Sequence, residues 1–329
     1  MEFGMVGTDF MHAFEYTSVI NCENSEEFPM AAMHPLDPRM EARIATVRNE
    51  SLVEEPEHVS GSELRKEFGS SRVVSWWSED PAAARAAADR FSVPSVATSL
   101  ADLIDRVDAV LVCTKQATTH YAIARAAIAA GRHVFVDKPF ASSYEEAASL
   151  IEMAEAAGVV LMSSSPWRFA PVVRKLKTQI AALGEVRSVV CSAPAIDGPF
   201  YLTHSADVVD ELVGPGLLSA MLWPGTLHDA IMMEYRNGVR GLINGVRETG
   251  WFRHVAVFGE RGYVEGEITN RQRDFGKVEL VRRFVNGACR REPPLESERM
   301  LDVMRVLSAP KVTATAPGAL RPEDGGEGL

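Results

Sequence analysis

Two widely separated stretches of the sequence carry side chains that could do chemistry. Lys138 follows the β-branched and aromatic run at 133–136 and precedes a proline, so it stands at the end of an expected strand. In open α/β sheets, ligands bind at the carboxyl ends of strands, so this lysine is well placed for a pocket. A surface lysine, or one paired with Asp137, is the alternative. His204 and Asp207 stand one helical turn apart on one face of an expected helix.

The start of the chain is a third candidate. A short apolar run closed by Gly7 and followed by a helical stretch is typical of the first turn of a nucleotide-binding βαβ unit. A dinucleotide fingerprint reads G-x-G-x-x-G/A, whereas this chain has Gly7, Asp9 and His12 at those positions. The middle glycine normally lets a pyrophosphate approach the backbone, and a carboxylate there opposes a phosphate. His12 is either a pocket contact or a plain helix-start residue.

Strands and helices alternate over the first half of the chain, and they must position these side chains. Residues 108–114 form a continuous apolar run typical of a buried parallel strand, and an Ala-rich helix at 120–130 separates it from the strand before Lys138. Such alternation predicts a first domain with a doubly wound parallel sheet over residues 1–163. Residues 23–70 are irregular and rich in Glu, Pro and Ser, so we expect an insertion there.

The pattern changes in the second half. Helices are expected at 171–183 and 203–213, and short runs separated by Gly and Asn turns then indicate consecutive antiparallel strands. We expect these strands at 219–222, 230–235, 239–246, 255–258, 263–268 and 278–284. A last helix is expected at 296–307 and a disordered tail at 314–329. The fold class is therefore α/β, with a second α/β domain at 164–313 built on an open, mostly antiparallel sheet.

Composition argues against several function classes. The formal net charge of −11 over 329 residues disfavours nucleic acid and anionic membranes as partners. The four cysteines are far apart and form no CxxC pair, which indicates reduced thiols and not a disulfide framework or a zinc site. We recognise no signal peptide, no membrane-length apolar run and no metal-ligand spacing such as HExxH, so we expect a cytoplasmic protein without a bound metal.

Several segments, in order, resemble the Gfo/Idh/MocA oxidoreductases. Residues 131–139, GRHVFVDKP, resemble the family signature GKHVxxEKP with Asp for Glu. Residues 167–171, WRFAP, resemble the RxxP segment that leads into the second domain of the family. Residues 204–214, HSAD with a later glycine, resemble its HxxDxxxxxxG helix. The likeness covers about 72–290 well and 1–20 partly.

The resemblance implies a fold, an activity and partners. The N-terminal domain, residues 1–163, would be a Rossmann domain that binds NAD or NADP. The C-terminal sheet would serve the substrate and the contacts of a homodimer or homotetramer. Typical members interconvert a secondary alcohol and a ketone on a sugar, a cyclitol or a related polyhydroxylated small molecule. Lys138 would lie between nicotinamide and substrate, orient the reacting hydroxyl and stabilise oxyanion charge. His204 would exchange the hydroxyl proton, because imidazole titrates near neutrality.

The same resemblance assigns the binding residues. The residues expected at the cofactor are Gly7, Thr8, Asp9, His12, Ser78, Thr114, Lys115, His120, Asp137, Lys138 and Pro139. Those expected at the substrate are Trp167, Arg168, Tyr201, His204 and Asp207. Ser78 stands where many dinucleotide folds have an acid for the adenosine ribose, and it fits a helix cap equally well. It therefore does not distinguish NAD from NADP.

Two departures from the family pattern bear on the activity. Asp9 replaces the middle glycine of the phosphate loop, and Phe200 stands four residues before His204, where many members have an acid. The nearest upstream acid is Asp197. These departures keep an alternative open. The chain could be a non-redox or cofactor-poor descendant of the fold, acting as a binding or regulatory protein or as a lyase- or epimerase-like enzyme.

Overall fold

Two six-stranded sheets organise the protein. The computed structural model describes residues 1–21, 61–195 and 199–312. Most of the expected insertion, Asp197 and the expected tail lie outside the described residues. Within the described ranges, no helix is long and apolar enough to cross a bilayer, and no group of three or more His, Cys, Asp or Glu side chains could hold a metal ion.

The first half of the chain forms a parallel sheet. Its strands are β1 (Glu2–Val6), β2 (Arg72–Trp77), β3 (Ser95–Val96), β4 (Ala109–Val112), β5 (His133–Val136) and β6 (Leu161–Met162). Its helices are α1 (Met11–Asn21), α2 (Gly61–Phe68), α3 (Pro81–Arg90), α4 (Leu100–Asp105), α5 (Ala117–Ala129) and α6 (Tyr144–Ala157). The strand order is β3-β2-β1-β4-β5-β6, and every pairing is parallel. The predicted doubly wound sheet is confirmed.

Local sequence explains where these elements begin. The strands β4 and β5 are buried at every position, which accounts for their continuous apolar runs. Asp80 caps α3 by accepting hydrogen bonds from the backbone N–H groups of Ala82 and Ala83, and a proline fills the first helical position. At the start of α6, Ser143 accepts from the N–H of Glu146, whose carboxylate accepts in turn from the N–H of Ser142.

The second half forms a mixed sheet. After a 3-10 turn at Pro166–Phe169, the chain forms α7 (Pro171–Gln179), a 3-10 turn (Ile180–Leu183), β7 (Val186–Pro194) and α8 (Pro199–Val213). The next strands are β8 (Leu217–Trp223), β9 (His228–Tyr235), β10 (Arg240–Val246), β11 (His254–Gly259) and β12 (Gly262–Glu267). The order is β12-β11-β7-β10-β9-β8, and only the β7–β10 pairing among these is parallel. This confirms the open, mostly antiparallel sheet.

One predicted strand is wrong. The segment expected as a strand at 278–284 lies inside helix α9 (Asn270–Arg290), which α10 (Ser297–Leu307) follows. The buried residues Val278, Val281 and Val285 recur at helical spacing, so the run has a period near 3.6 and not 2. These side chains pack on the core of the first sheet, although they lie late in the sequence.

Helix α9 also holds the start of the second half against the first. A Cβ at Gly276 would lie 2.1 Å from the carbonyl oxygen of Pro166, so only glycine allows α9 to approach the 3-10 turn this closely. One residue on, Lys277 Nζ is 2.6 Å from Glu15 Oε1 on α1, in a buried ion pair. The segment that carries Trp167 and Arg168 is therefore fixed against the first sheet.

Candidate active site

The turn after β1 brings two strand ends close together. Gly7 has a φ of +107°, and a Cβ there would lie 2.8 Å from the carbonyl oxygen of Cys113. The Gly7 N–H donates to the carbonyl of Trp77 at 3.0 Å. Only glycine fits both the conformation and the close approach to the end of β4. Because the strand order reverses between β1 and β4, this is the place where a doubly wound sheet opens a ligand crevice.

A cavity of about 460 Å³ occupies this crevice. Five of the residues expected at the cofactor line it, and they are Gly7, Thr8, Asp9, Ser78 and Thr114. The Oγ atoms of Thr8 and Ser78 are 2.8 Å apart, so a hydroxyl pair lies between the ends of β1 and β2. Glu79 and Asp80 also line the cavity, and the sequence had not assigned them to the cofactor. The described lining contains no lysine or arginine.

The orientation of the Asp9 side chain is fixed by a hydrogen bond. Its Oδ2 accepts a hydrogen bond from the backbone N–H of Lys115 at 3.1 Å. The carboxylate that replaces the usual glycine is thereby tied to the loop after β4. Lys115 is exposed and takes part in this contact through its backbone.

His12, at the third position of the loop pattern, points to the end of β5. Its Nδ1 is 2.8 Å from Asp137 Oδ2, and the Tyr16 hydroxyl donates to Asp137 Oδ1 at 3.2 Å. Burial raises the pKa of Asp137, but His12 and Lys138 outweigh this effect and hold it below its usual range. Asp137 is therefore an anion, and it lies directly before the candidate lysine.

His120 joins the loops after β4 and β5. Its Nδ1 is 2.8 Å from the carbonyl oxygen of Pro139, and its Nε2 is 2.9 Å from that of Thr114. Both ring nitrogens thus face backbone carbonyls. This contact fixes Pro139, and with it the backbone of Lys138, relative to the cavity wall.

Lys138 is buried at the end of β5, with 2% of its surface exposed. Its Nζ lies 4.9 Å from the ring centroid of Phe10, the residue after Asp9. Burial lowers the pKa of Lys138 to about 7, against the raising effect of Asp137 and Glu15. The ammonium and the neutral amine are therefore both accessible near neutral pH.

His204 on α8 is the second buried titratable group. Its Nδ1 is 2.6 Å from Ser165 Oγ, and the ring centroids of Trp167 and Tyr201 each lie 5.8 Å from its own. Burial, followed by the positive charges of Lys138 and Arg253, lowers the pKa of His204 well below its usual range. The imidazole is therefore neutral, and it lies within the electrostatic range of Lys138.

Arg168 and Asp207 face each other beside this histidine. Arg168 Nη2 is 2.6 Å from Asp207 Oδ1, and Nη1 is 2.6 Å from Asp210 Oδ2 and 3.2 Å from Glu211 Oε2. Asp207 Oδ2 also accepts from the backbone N–H of Ser165 at 2.7 Å. The acid expected near the substrate thus holds the backbone of the residue that contacts His204.

Sequence reasoning missed three residues next to His204. Ser165 contacts the imidazole, Arg253 donates from Nη1 to Ser205 Oγ at 2.5 Å, and Trp251 packs with its ring centroid 6.0 Å from that of Trp167. Arg253 lies 4.6 Å above the same Trp167 ring. Trp251 and Arg253 precede β11 in a stretch without a clear period, so no local signal marked them.

Comparison with known proteins decides the family. Residues 1–165, half of the chain, match the model of GFO_IDH_MocA, described as an oxidoreductase family with an NAD-binding Rossmann fold. The chain belongs to this family. The resemblance noted from the sequence is confirmed, and so is the nicotinamide dinucleotide as the class of cofactor that the fold serves.

Relatives of this Gfo/Idh/MocA protein have been described as dehydrogenases. The D-xylose 1-dehydrogenase (NADP(+)) 2 of Haloferax volcanii is 36% identical over 115 residues, which are 34% of this chain and 35% of that protein. The myo-inositol 2-dehydrogenase of Thermotoga maritima is 23% identical over 242 residues, covering 58% of this chain and 72% of that one. The chain thus matches the xylose dehydrogenase over about a third of that protein's length.

Solved structures share the whole fold. GenD2 from gentamicin A biosynthesis, crystallised in complex with NAD, superimposes with a TM-score of 0.70 and covers 94% of this chain and 93% of its own. The sequence identity is 21%. This likeness establishes that both halves of the described chain have the architecture of that protein.

Proposed function

We propose that this protein is an NAD-dependent dehydrogenase that interconverts a secondary alcohol and a ketone on a sugar, a cyclitol or a related polyhydroxylated small molecule. One observation carries the proposal: buried Lys138 from the first half and buried His204 from the second half lie close enough for the lysine charge to lower the histidine pKa. The xylose and inositol dehydrogenases among the relatives support the substrate class.

Lys138 polarises the reacting oxygen. With a pKa of about 7, its ammonium can be present near neutral pH and can donate a hydrogen bond to a substrate hydroxyl or ketone oxygen. A fixed positive charge in a buried site stabilises the negative charge that develops on this oxygen. His120 and the Asp137–His12 pair hold the lysine backbone and the adjoining carboxylate in place.

His204 takes the hydroxyl proton in the oxidation direction. The tautomer that donates from Nδ1 to Ser165 Oγ leaves a lone pair on Nε2, and a neutral imidazole can accept the proton there. The carbinol carbon loses a hydride while its oxygen loses this proton, which yields the ketone. Asp207 and Arg168 act as positioning residues, because their contacts fix Ser165 and not the substrate.

We propose NAD as the occupant of the cavity at the end of β1, although the Asp9 carboxylate lines it and is bound to the backbone N–H of Lys115. Gly7 allows the close turn, and the Thr8–Ser78 hydroxyl pair stands at the end of β2, where the ribose of a dinucleotide lies in this fold. A bound nicotinamide supplies the hydride chemistry. Glu79 and Asp80 line the cavity, which lacks a described cationic side chain, so a ribose 2′-phosphate would be repelled. We therefore propose NAD over NADP.

A second copy of the chain is the proposed partner of the outer face of the second sheet. Met221 of β8 is paired with Met232 of β9, and both are exposed. Phe258 and Tyr263 stack at 5.7 Å on β11 and β12, and both are also exposed. Exposed apolar side chains grouped on one sheet face are typical of an interface. Light scattering should show a dimer or tetramer, and a monomer would refute the assignment.

Turnover measurements test the proposed function. We expect NADH formation with NAD⁺ and at least one member of a panel of aldoses and inositols. The Lys138→Ala variant should lose about 100- to 1000-fold in kcat/KM, because it loses a buried charge at the reacting oxygen. In the wild type, kcat/KM should fall as the pH rises through about 7 and the ammonium is lost.

The matched control is Lys175→Ala, which removes an exposed lysine of α7. It should keep the wild-type rate and pH profile. Full activity of Lys138→Ala would remove this lysine from the mechanism. Product formation from the panel without net NADH would instead identify a lyase- or epimerase-like reaction.

A further inference from the structure

Arg253 is a buried charge that pairs with no carboxylate among the described residues. Its side chain is 1% exposed, and it lies between the Trp167 ring, 4.6 Å away, and Ser205, the residue after His204. Nη1 donates to Ser205 Oγ at 2.5 Å. The guanidinium is therefore placed next to the candidate proton acceptor, on the side of the aromatic cluster.

Two nitrogens of this guanidinium are buried without a hydrogen-bond partner among the residues that the structure describes. In the part of the chain that the structure describes, neither Nε nor Nη2 of Arg253 has a hydrogen-bond partner, and no carboxylate forms an ion pair with it. The neighbouring Cys191 supplies no negative charge, because burial raises the pKa of its thiol. Leaving a buried charge unpaired is strongly unfavourable, so such a group needs a compensating partner.

Trp251, two residues before Arg253, also has a buried donor without an acceptor among the described residues. This donor is the indole Nε1. Its ring lies 6.0 Å from those of both Trp167 and Tyr201, measured between centroids. Both unpaired groups are donors, so the missing partner must supply acceptors. The rings of Trp167 and Tyr201, which lie beside these donors, also pack against His204.

We propose that Arg253 and Trp251 form a subsite for a carboxylate on the substrate, so that the reacting molecule is a sugar acid. This inference rests on the proposed function, because it names the substrate class of the same site. The Nε and Nη2 atoms form one edge of the planar guanidinium, and their parallel N–H bonds match the two coplanar oxygens of a carboxylate.

A neutral sugar would leave this subsite incompletely satisfied. A hydroxyl can accept one hydrogen bond but brings no charge, so the guanidinium would stay buried and uncompensated. A carboxylate supplies both the charge and the acceptor geometry. The subsite therefore selects acids over the corresponding neutral sugars, while Lys138 remains available for the reacting oxygen.

Paired substrates test this subsite. The probes are D-glucuronate against D-glucose and D-galacturonate against D-galactose, each with saturating NAD⁺ and the full-length protein. We expect kcat/KM to favour the acid of each pair by about 10- to 100-fold, the usual worth of hydrogen bonds to a charged group. Arg253→Gln should abolish this preference. Arg253→Lys should retain part of it, because lysine keeps the charge but lacks the two parallel N–H donors of the guanidinium.

The control is Arg240→Gln, which removes an exposed arginine of β10 that pairs with Glu234 at the surface. It should leave the preference unchanged. Equal kcat/KM for acid and neutral sugar in the wild type would overturn the subsite and leave the dehydrogenase intact. A stronger preference for D-glucose 6-phosphate than for D-glucuronate would overturn the choice of a carboxylate.

Thermal shift measurements separate this inference from the proposed function, because they need no turnover. D-glucuronate should raise the Tm of the wild type more than D-glucose does, and this difference should vanish in Arg253→Gln. That result without any turnover would support the subsite and refute the dehydrogenase. If D-glucuronate raises the Tm of both proteins equally, Arg253 is not its ligand.

Discussion

Two arginines are buried near Trp167, and their surroundings differ. Arg168 follows this tryptophan in the 3-10 turn and contacts three carboxylates, those of Asp207, Asp210 and Glu211. Arg253 lies over the tryptophan ring and donates through Nη1 to a serine hydroxyl, and no carboxylate among the described residues pairs with it. Burial lowers the pKa of both, but the carboxylates reverse this effect at Arg168 and none does so at Arg253.

This difference indicates that the charge of Arg168 stabilises the fold, whereas that of Arg253 is available to a ligand. The Arg168 network joins the 3-10 turn to α8 and so fixes Ser165, which orients His204. Its neutralisation comes from within the chain. Arg253 keeps Nε and Nη2 unpaired within the described chain, and we expect a bound molecule to neutralise its charge. Proteins tolerate such destabilised groups at sites where function needs them.

The strongest way to break this comparison is Arg168→Met. The substitution leaves Asp207 and Asp210 buried without their main counter-charge, which should cost about 3–5 kcal/mol in the free energy of unfolding. Urea denaturation of the variant and the wild type measures this difference. A loss below about 1 kcal/mol would show that the network does not hold the fold.

A weaker effect is expected from Asp210→Asn. Burial raises the pKa of Asp210 to about 6, against the lowering effect of Arg168 and Arg299. The folded protein therefore binds more protons than the unfolded chain between about pH 4 and 6, and this contribution to stability is lost as the pH rises through 6. In the wild type, the free energy of unfolding should therefore fall by up to about 3 kcal/mol over this pH range, and in Asp210→Asn this fall should be absent.

Unfolding free energies measured at several pH values between these limits test the assignment to Asp210. Glu234→Gln, at an exposed glutamate of β9, serves as the control and should keep the wild-type slope. An unchanged slope in Asp210→Asn would show that another group causes the decline.

The smallest effect, and the one that contrasts with Arg168, is expected from Arg253→Met. It removes a buried charge that nothing in the described chain compensates, at the cost of one hydrogen bond and a contact with Trp167. Stability without ligand should be unchanged or higher by up to about 2 kcal/mol. Urea denaturation measures it, and a loss of more than about 2 kcal/mol would give Arg253 a structural role like that of Arg168.

The sequence predicted those features that depend on local pattern. Lys138 ends a buried strand, and the glycine turn at Gly7 opens the parallel sheet, because both follow from residue type and order. The strand expected at 278–284 was wrong because a short apolar run does not reveal its period until it packs. Trp251 and Arg253 were not predicted because they join the site only through contacts with α8 and the 3-10 turn, which are remote in sequence.

Calorimetric titration with NAD⁺ and NADP⁺ tests the central claim most directly. The account predicts that the wild type binds NAD⁺, and does so at least about tenfold more tightly than NADP⁺, because Glu79 and Asp80 line the cavity without a described cationic neighbour. Arg253→Met should bind NAD⁺ equally well, since this arginine belongs to the substrate side. Absence of binding of both dinucleotides at about 1 mM would contradict the assignment of this protein as a nicotinamide-dependent dehydrogenase.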